Sequence, residues 1–286
     1  MNKVSLFFIL VFALTNAQTH RFFYELKYKN DSTMPVSKKK FMVLDINPKE
    51  IKYYDYAFLE KDSINKARNS QDTNWTDQIP VVRKRGTQKN INYTTLEFQI
   101  FSYETEDPVK WTLSNDINKY SGYDIQKATS DFGGRKWTAW FTKEIPFSEG
   151  PYKFQGLPGL ILLLEDSEQQ FIFSLVKSKK LNEVYDTSNI LEVRYGNKPI
   201  PVSEKLYTSK AIEHFNDPFH KIREDLRNGR TTSYEDNGVT YTKAEQLIPL
   251  IQDEQEYILK YNNPIERNKA IKYPIKQNKK TKNKSD

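Results

Sequence analysis

Apolar and polar residues alternate along much of the first half of the chain, and a period of two predicts strands. In His20–Lys29 the side chains of Phe22, Tyr24, Leu26 and Tyr28 share one face. Lys39–Ile46 and Ile51–Phe58 form a hairpin across Asn47-Pro48-Lys49-Glu50, whose Asn-Pro start favours a turn. Glu60–Lys89 is polar and irregular apart from Ile79-Pro80-Val81-Val82, and reads as a long excursion. Thr94–Tyr103 sets Leu96, Phe98 and Ile100 opposite Glu97 and Gln99, a further strand. Trp111-Thr112-Leu113 begins another, which Asn115-Asp116 ends.

The best-defined hairpin joins Tyr123–Phe132 to Arg135–Glu144 through Gly133-Gly134, a two-residue loop suited to a type I′ turn. That loop fixes the register. Asp131 faces Lys136, Thr129 faces Thr138, and Lys127 faces Trp140. On the other side Ser130 faces Trp137, Ala128 faces Ala139, and Gln126 faces Phe141. The alanine pair leaves a shallow groove, which a bulky group from the Leu157–Leu160 turn is expected to fill. Tyr123, Lys127, Trp140 and Glu144 point one way and Arg135 and Trp137 the other, so this polar, aromatic ribbon is the candidate ligand face. Decoration of a sheet surface is the competing reading.

The rest is organised around Gly150–Leu164, GPYKFQGLPGLILLL. Leu157-Pro158-Gly159-Leu160 reads as a type II turn, with Gly159 at the positive-φ position and Gly156 as a second point of close approach. Leu160–Leu164 is uninterruptedly apolar and fits a strand buried on both faces, with Phe171–Val176 returning beside it. Ile190–Tyr195 is another candidate strand. Ser203 to Asn228 carries apolar residues every three or four positions and is broken by Asn216-Asp217-Pro218 into two helices. Gly238–Tyr241 marks a short hairpin, and Thr242–Tyr261 holds a short helix.

Gly156-Leu157-Pro158-Gly159-Leu160-Ile161 resembles the hexapeptide for which the GLPGLI family, a group of exported proteins of Bacteroidota, is named. The resemblance extends through Gly122-Tyr123, Gln126–Thr129, Phe132, Gly134-Arg135, Trp137, Ala139–Thr142, Ile145-Pro146 and Gly150-Pro151, and returns at Asn262-Asn263-Pro264-Ile265-Glu266. Relatives carry a cysteine near the position of Ile125, whereas this chain has none. The resemblance implies export and brings no catalytic residue with it.

Composition narrows the function. The chain has 286 residues, 18 Tyr, 17 Phe and 4 Trp, so its core leans on aromatic side chains suited to strands. Without cysteine there is no disulfide, no thiolate nucleophile and no lipoprotein anchor. The net charge is +7, yet the segment from Glu266 to Asp286 holds eight of the Lys and Arg residues against two acids. The body is therefore near neutral, which argues against a nucleic-acid-binding face. His20, His214 and His220 show no metal-ligand spacing, and no cofactor motif is present.

Lys3, the apolar run Val4–Leu14 and Thr15-Asn16-Ala17 read as a signal peptide cleaved after Ala17. The expected organisation is a signal peptide at 1–17, a single domain over 18–265 and a disordered Lys-rich tail at 266–286. The fold class expected is mainly β (α+β), a curved antiparallel sheet or half-barrel with C-terminal helices packed over it. The leading function is a non-enzymatic module, exported and more naturally periplasmic than surface-bound. It would bind an apolar or glycan ligand or an outer-membrane protein, with the basic tail free to touch a membrane. A hydrolase using Asp124, Glu144 or Glu149, and a structural surface protein, are the alternatives.

Overall fold

Twelve of the described strands hydrogen-bond into one open, mostly antiparallel sheet. In this computed structural model the described residues are 18–70, 80–97, 99–194 and 196–274. The expected signal peptide, Phe98, Tyr195 and the last twelve residues of the basic tail lie outside them. In chain order the strands are β1 (Thr19–Tyr28), β2 (Lys38–Ile46), β3 (Glu50–Asp55), β4 (Val81–Lys84), β5 (Lys89–Leu96) and β6 (Gln99–Glu106). They continue with β7 (Thr112–Tyr120), β8 (Tyr123–Phe132), β9 (Arg135–Thr142), β10 (Leu160–Asp166), β11 (Phe171–Leu181) and β12 (Ile200–Pro201). The spatial order is β12-β6-β5-β4-β3-β2-β1-β11-β10-β9-β8-β7, with only the β12–β6 pair parallel.

The middle of the sheet is covered on both sides. Met42–Ile46 and Ile51–Asp55 are buried without a break. Met42, Leu44, Ile46, Ile51 and Tyr53 join the main core with β8–β11. Val43 and Tyr54 face the opposite way, into a smaller core with Phe58, Ile190 and Leu191. Phe58 comes from α1 (Ala57–Arg68), a helix inside the stretch expected to be irregular. Its buried positions are Phe58, Asp62 and Asn65, so two of the three core-facing residues are polar and the helical period is hidden. Ile190-Leu191 covers this face from turns rather than from the expected strand.

The 123–144 ribbon has the register its glycine turn dictates, with all six facing pairs as expected. Ala128 and Ala139 are fully buried in the main core with Leu157 and Leu160. Elsewhere alternation misled. Thr94–Tyr103 is two strands, because Glu97 takes φ +54° and turns β5 back into β6. β7 runs past Asn115-Asp116 to Tyr120, accommodating them in an irregularity between Leu113 and Ile117.

The hexapeptide makes a tighter corner than a type II turn. Gly159 N–H donates to the Leu157 carbonyl at 2.8 Å, an i to i+2 bond around Pro158 that defines a γ-turn. The N–H of Leu160 is taken by Ile145 and that of Ile161 by Glu149. A Cβ on Gly159 would lie 1.9 Å from the Thr142 carbonyl oxygen. At Gly156 nothing approaches within 4 Å, so its role is the backbone angle, φ +96°, and not close contact. Leu157 and Leu160 are buried while Pro158 is exposed. Each buried leucine contributes about 1.5–3 kcal/mol relative to an exposed one.

Four helices are described. After α1 come α2 (Glu204–Asn216), α3 (His220–Arg227) and α4 (Leu250–Lys260). Ser203 caps α2 by accepting from the Leu206 N–H, and the expected break falls at Asp217-Pro218. Tyr207 of α2 packs on Phe101 and Tyr103 of β6, so the C-terminal helices cover that end of the sheet. Asn237-Gly238 turns the small separate hairpin Tyr234–Asp236 and Val239–Tyr241.

Gly159→Ala should lower stability by about 3 kcal/mol or more, since backbone rather than a flexible side chain must move. Gly156→Ala should cost about 1–2 kcal/mol, from backbone strain alone. Urea unfolding of the two variants measures the difference, and equal losses would contradict the close approach at Thr142.

Candidate functional site: a tyrosine-lined cavity

Between β9 and β10 the chain carries three large consecutive side chains, Tyr152, Lys153 and Phe154, at most 6% exposed. Tyr152 takes φ +57° and Glu149 bridges Gln155, a fold-back that sends Phe154 one way and Tyr152 and Lys153 another. Phe154 enters the main core edge-on to Trp137, with ring centres 4.7 Å apart. Tyr152 and Lys153 instead meet Glu266.

Glu266 is buried, although the sequence placed it at the start of a free tail. Its carboxylate accepts from Lys153 Nζ at 2.5 Å, from the Tyr152 hydroxyl at 2.6 Å and from Lys269 Nζ at 3.0 Å. Asp107 completes the cluster, 2.9 Å from Lys153 and 2.6 Å from Lys269, and also accepts from the Thr105 hydroxyl. The buried Lys153 and the partly exposed Lys269 thus balance two buried carboxylates, which is how buried charges are tolerated.

Immediately before Glu266, Arg135 of β9 grips the chain. Its Nε donates to the Ile265 carbonyl at 3.0 Å, and one terminal nitrogen reaches Asn263 Oδ1 at 2.6 Å and the Pro264 carbonyl at 3.0 Å. The other terminal nitrogen binds Asp166 at 3.1 Å. A planar guanidinium can serve this fork of acceptors where an ammonium cannot. The Gly133-Gly134 turn lets the segment pass: a Cβ on Gly133 would sit 2.9 Å from the Glu266 Cα, and Asn268 N–H donates to the Gly133 carbonyl at 3.1 Å. The motif Asn262–Glu266 is therefore held to the hairpin that lies more than a hundred residues earlier. The expected tail is part of the body through Lys269, with Arg267 also paired to Glu168.

This segment forms one wall of a cavity of about 400 Å³. Seven tyrosines line it, among them Tyr53 of β3, Tyr103 of β6, Tyr152, and Tyr207 of α2. Tyr103 and Tyr207 stack with centres 5.6 Å apart, and Tyr53 meets Tyr152 edge-on at 6.1 Å. Burial pushes the phenols of Tyr53, Tyr103 and Tyr152 up, so they are neutral hydroxyls at neutral pH. Two polar atoms of lining residues, the Tyr53 hydroxyl and Asn30 Oδ1, are buried without a hydrogen-bond partner among the described residues.

The six residues of the candidate ligand face are not among the cavity's lining residues. Trp137 is 1% exposed and donates its indole N–H to the Phe132 carbonyl, which makes it a core residue. Arg135 acts on the cavity through the segment it holds. Tyr123, Lys127 and Trp140 stay half-buried on the hairpin, where Lys127 lies 3.4 Å from Asp116. Glu144 is exposed and accepts from the Asp124 N–H. Of the carboxylates offered for a hydrolase, burial pushes Glu149 up, but its partner is the buried guanidinium of Arg83 and not a second carboxylate. Asp124 and Glu144 are exposed.

Tyr152, Lys153 and Glu266 stand within the sequence motifs, where no pattern assigns them a role. Three bulky residues between Gly150-Pro151 and Gln155-Gly156 were the available signal. Asp107 gave none, since its lysine partners lie 46 and 162 residues away.

Burial alone would raise the Asp107 carboxyl, but the Lys153 charge and hydrogen bonds from Lys269, Thr105 and Lys153 outweigh it and hold it at about 2. A depressed value stabilises the fold above the ordinary 3.8 and ceases to do so as pH falls towards 2. Asp107→Asn should lose about 3–5 kcal/mol near neutral pH. Urea unfolding at each pH should show that gap closing between the ordinary value and about 2, and a gap independent of pH would contradict the cluster.

Residues 23–163 match the family model described as Protein of unknown function (Porph_ging), a name taken from Porphyromonas gingivalis. That span includes the hexapeptide and stops before Asn262–Glu266. No curated protein matches the chain. Two solved structures of PNGF-II, in C2 and P21 crystals, are similar to it with TM-scores of 0.51 at 13% identity. The match covers 68% of this chain and 32–33% of PNGF-II, so the chain spans about a third of that protein's length. At this identity the likeness is one of fold, an open and mostly β architecture.

Proposed function

We propose that this chain is a non-enzymatic binding module of the exported, GLPGLI type, and that its ligand site is the tyrosine-lined cavity. The observation that carries this reading is the cavity's construction. A pocket of about 400 Å³ falls within the usual range for small ligands, roughly 300–1,000 Å³. Its wall is fixed in place by the Lys153–Glu266 ion cluster and by the Arg135 fork. Seven tyrosines line the cavity, with the Tyr103–Tyr207 stack and the Tyr53–Tyr152 edge contact setting four of the rings. Rigid aromatic walls with a few placed polar groups are what a ligand site requires.

The hexapeptide, the Asn262–Glu266 motif and the Lys3–Ala17 leader pattern support an exported, periplasmic setting of the kind found in Bacteroidota. The electrostatics fit a binder better than a hydrolase, because the carboxylates nearest the cavity are bound to lysines.

Native mass spectrometry of protein purified from its own host tests the reading. The wild type should carry a non-covalent adduct, and Ala270→Trp, which fills the cavity, should lose it while melting at a similar temperature. Lys127→Ala and Trp140→Ala should keep the adduct. Loss from the hairpin variants with retention in Ala270→Trp would move the site to the β8–β9 ribbon, and no adduct in any of them would count against a bound ligand.

A further inference from the structure

Besides its two outer strands, the sheet has a free edge where β10 and β11 part. β11 pairs with β1 along its whole length, from Phe171 to Leu181, but with β10 only over Ile172–Ser174. β10 begins at the hexapeptide corner, at Leu160, and so does not accompany β11 further. Two tyrosine hydroxyls close the seam where the strands diverge. Tyr24 donates to the Ile161 carbonyl at 2.7 Å and Tyr120 to the Leu175 carbonyl at 2.9 Å. Beyond Leu175 no described strand lies on the side of β11 away from β1. Val176, 52% exposed, is the extra residue of a bulge, and Lys177–Lys180 are exposed throughout. In an antiparallel pair every second residue turns its N–H and C=O away from the neighbour, so this half-strand presents main-chain groups for pairing.

The charge of that edge is of one sign. Lys177 and Lys179 stand opposite Phe23 and Arg21 of β1, and Lys180 stands opposite His20 on the other face. On β1 and β2, Lys27 and Lys39 have Glu25, and Lys40 has Asp55. Among the described residues no carboxylate lies within ion-pair distance of Lys177, Lys179 or Lys180. Lys177 lies 6.0 Å from the Phe23 ring centre, a contact that leaves its charge unneutralised. A neighbour feels the field: burial, Lys180 and Arg85 all push the His20 imidazole below its ordinary value. Lysines on an open edge deter a second copy of this chain, whose own lysines would stand opposite them. The same charges favour a strand of opposite sign.

We propose that Val176–Leu181 is a docking edge, which takes an extended, acidic segment of a partner protein as an added strand. Main-chain hydrogen bonds hold the segment, and carboxylates at alternate positions meet Lys177 and Lys179 on one face. None of these residues lines the tyrosine cavity, so the edge is open whether or not the cavity is filled. An anionic lipid surface would meet the lysines but offer nothing to the main-chain groups.

The full chain is titrated with a labelled, capped peptide of alternating glutamate and valine, and fluorescence anisotropy reads the binding. The comparators are a lysine–valine peptide, the acidic peptide with N-methylated backbone amides, and phosphatidylglycerol vesicles. The acidic peptide should bind and should slow hydrogen–deuterium exchange within Lys177–Leu181. N-methylation keeps the charge but removes main-chain donors, so it should weaken binding about ten-fold or more. Lys177→Glu with Lys179→Glu alters two exposed side chains and should leave folding unchanged. That variant should lose about ten-fold in affinity for the acidic peptide and gain binding of the basic one. Equal binding of the N-methylated peptide overturns the added strand, and equal binding by the double variant overturns its location. Binding of vesicles but not of the acidic peptide overturns the proposal in favour of a membrane contact. Binding of no probe also overturns it.

Discussion

Two buried cations, Arg135 and Lys153, hold the C-terminal segment against the sheet, and the cavity exists because of that attachment. Without it the far wall of the pocket, from Asn262 to Ile271, has little apolar area to keep it in place, since Ile265 is its one member of the main core. Burying Asp107, Lys153 and Glu266 costs desolvation that the attraction among them and Lys269 about offsets, so the cluster adds little net stability. Its effect is positional. Removing one partner strands the others, which makes any alternative path for the segment expensive. Arg135 contributes differently, by reading three backbone or amide oxygens of Asn263, Pro264 and Ile265 at once.

The same constraint explains why residues scattered along the chain belong together. Gly133-Gly134 supplies the turn and the clearance, Arg135 the fork, Tyr152-Lys153 the cation and hydroxyl, and Glu266 the shared acceptor. The hexapeptide stands one step behind them. Its γ-turn at Pro158 and the contact of Gly159 with Thr142 fix where the 143–159 loop re-enters the sheet, and hence where Tyr152 and Lys153 point. A bulge in β10 near Leu162 leaves the Ile161 carbonyl to the buried Tyr24 hydroxyl at 2.7 Å, which ties the corner to β1.

Short-range signals in the sequence were reliable where glycine or apolar runs left a single choice. The type I′ turn at Gly133-Gly134 determined a register that the structure reproduces pair by pair, and Leu160–Leu164 is indeed a strand in the core. The reading failed where a polar residue did an unusual thing. Glu97 turns with positive φ in the middle of an apparently continuous strand, and Asp62 and Asn65 occupy the buried face of α1. The cavity was largely illegible for a different reason. Its residues come from β1, β3, β6, the 143–159 loop, β11, α2, α4 and the C-terminal segment, among others, and no local period links them. Charge counting also misdirected attention, because the basic segment after Ile265 looked free when Lys269 and Arg267 are paired with body carboxylates.

Hydrogen–deuterium exchange over Asn262–Lys269 tests the central claim most directly, in wild type and in Arg135→Lys. The attachment described here requires slow exchange of the Asn268 and Lys269 amides in wild type, both of which are hydrogen-bonded. Lysine cannot reproduce the fork, so the variant should exchange faster there while β10 and β11 keep their protection. Exchange in the wild-type segment at the rate of an unstructured peptide, or equal protection in Arg135→Lys, would contradict it.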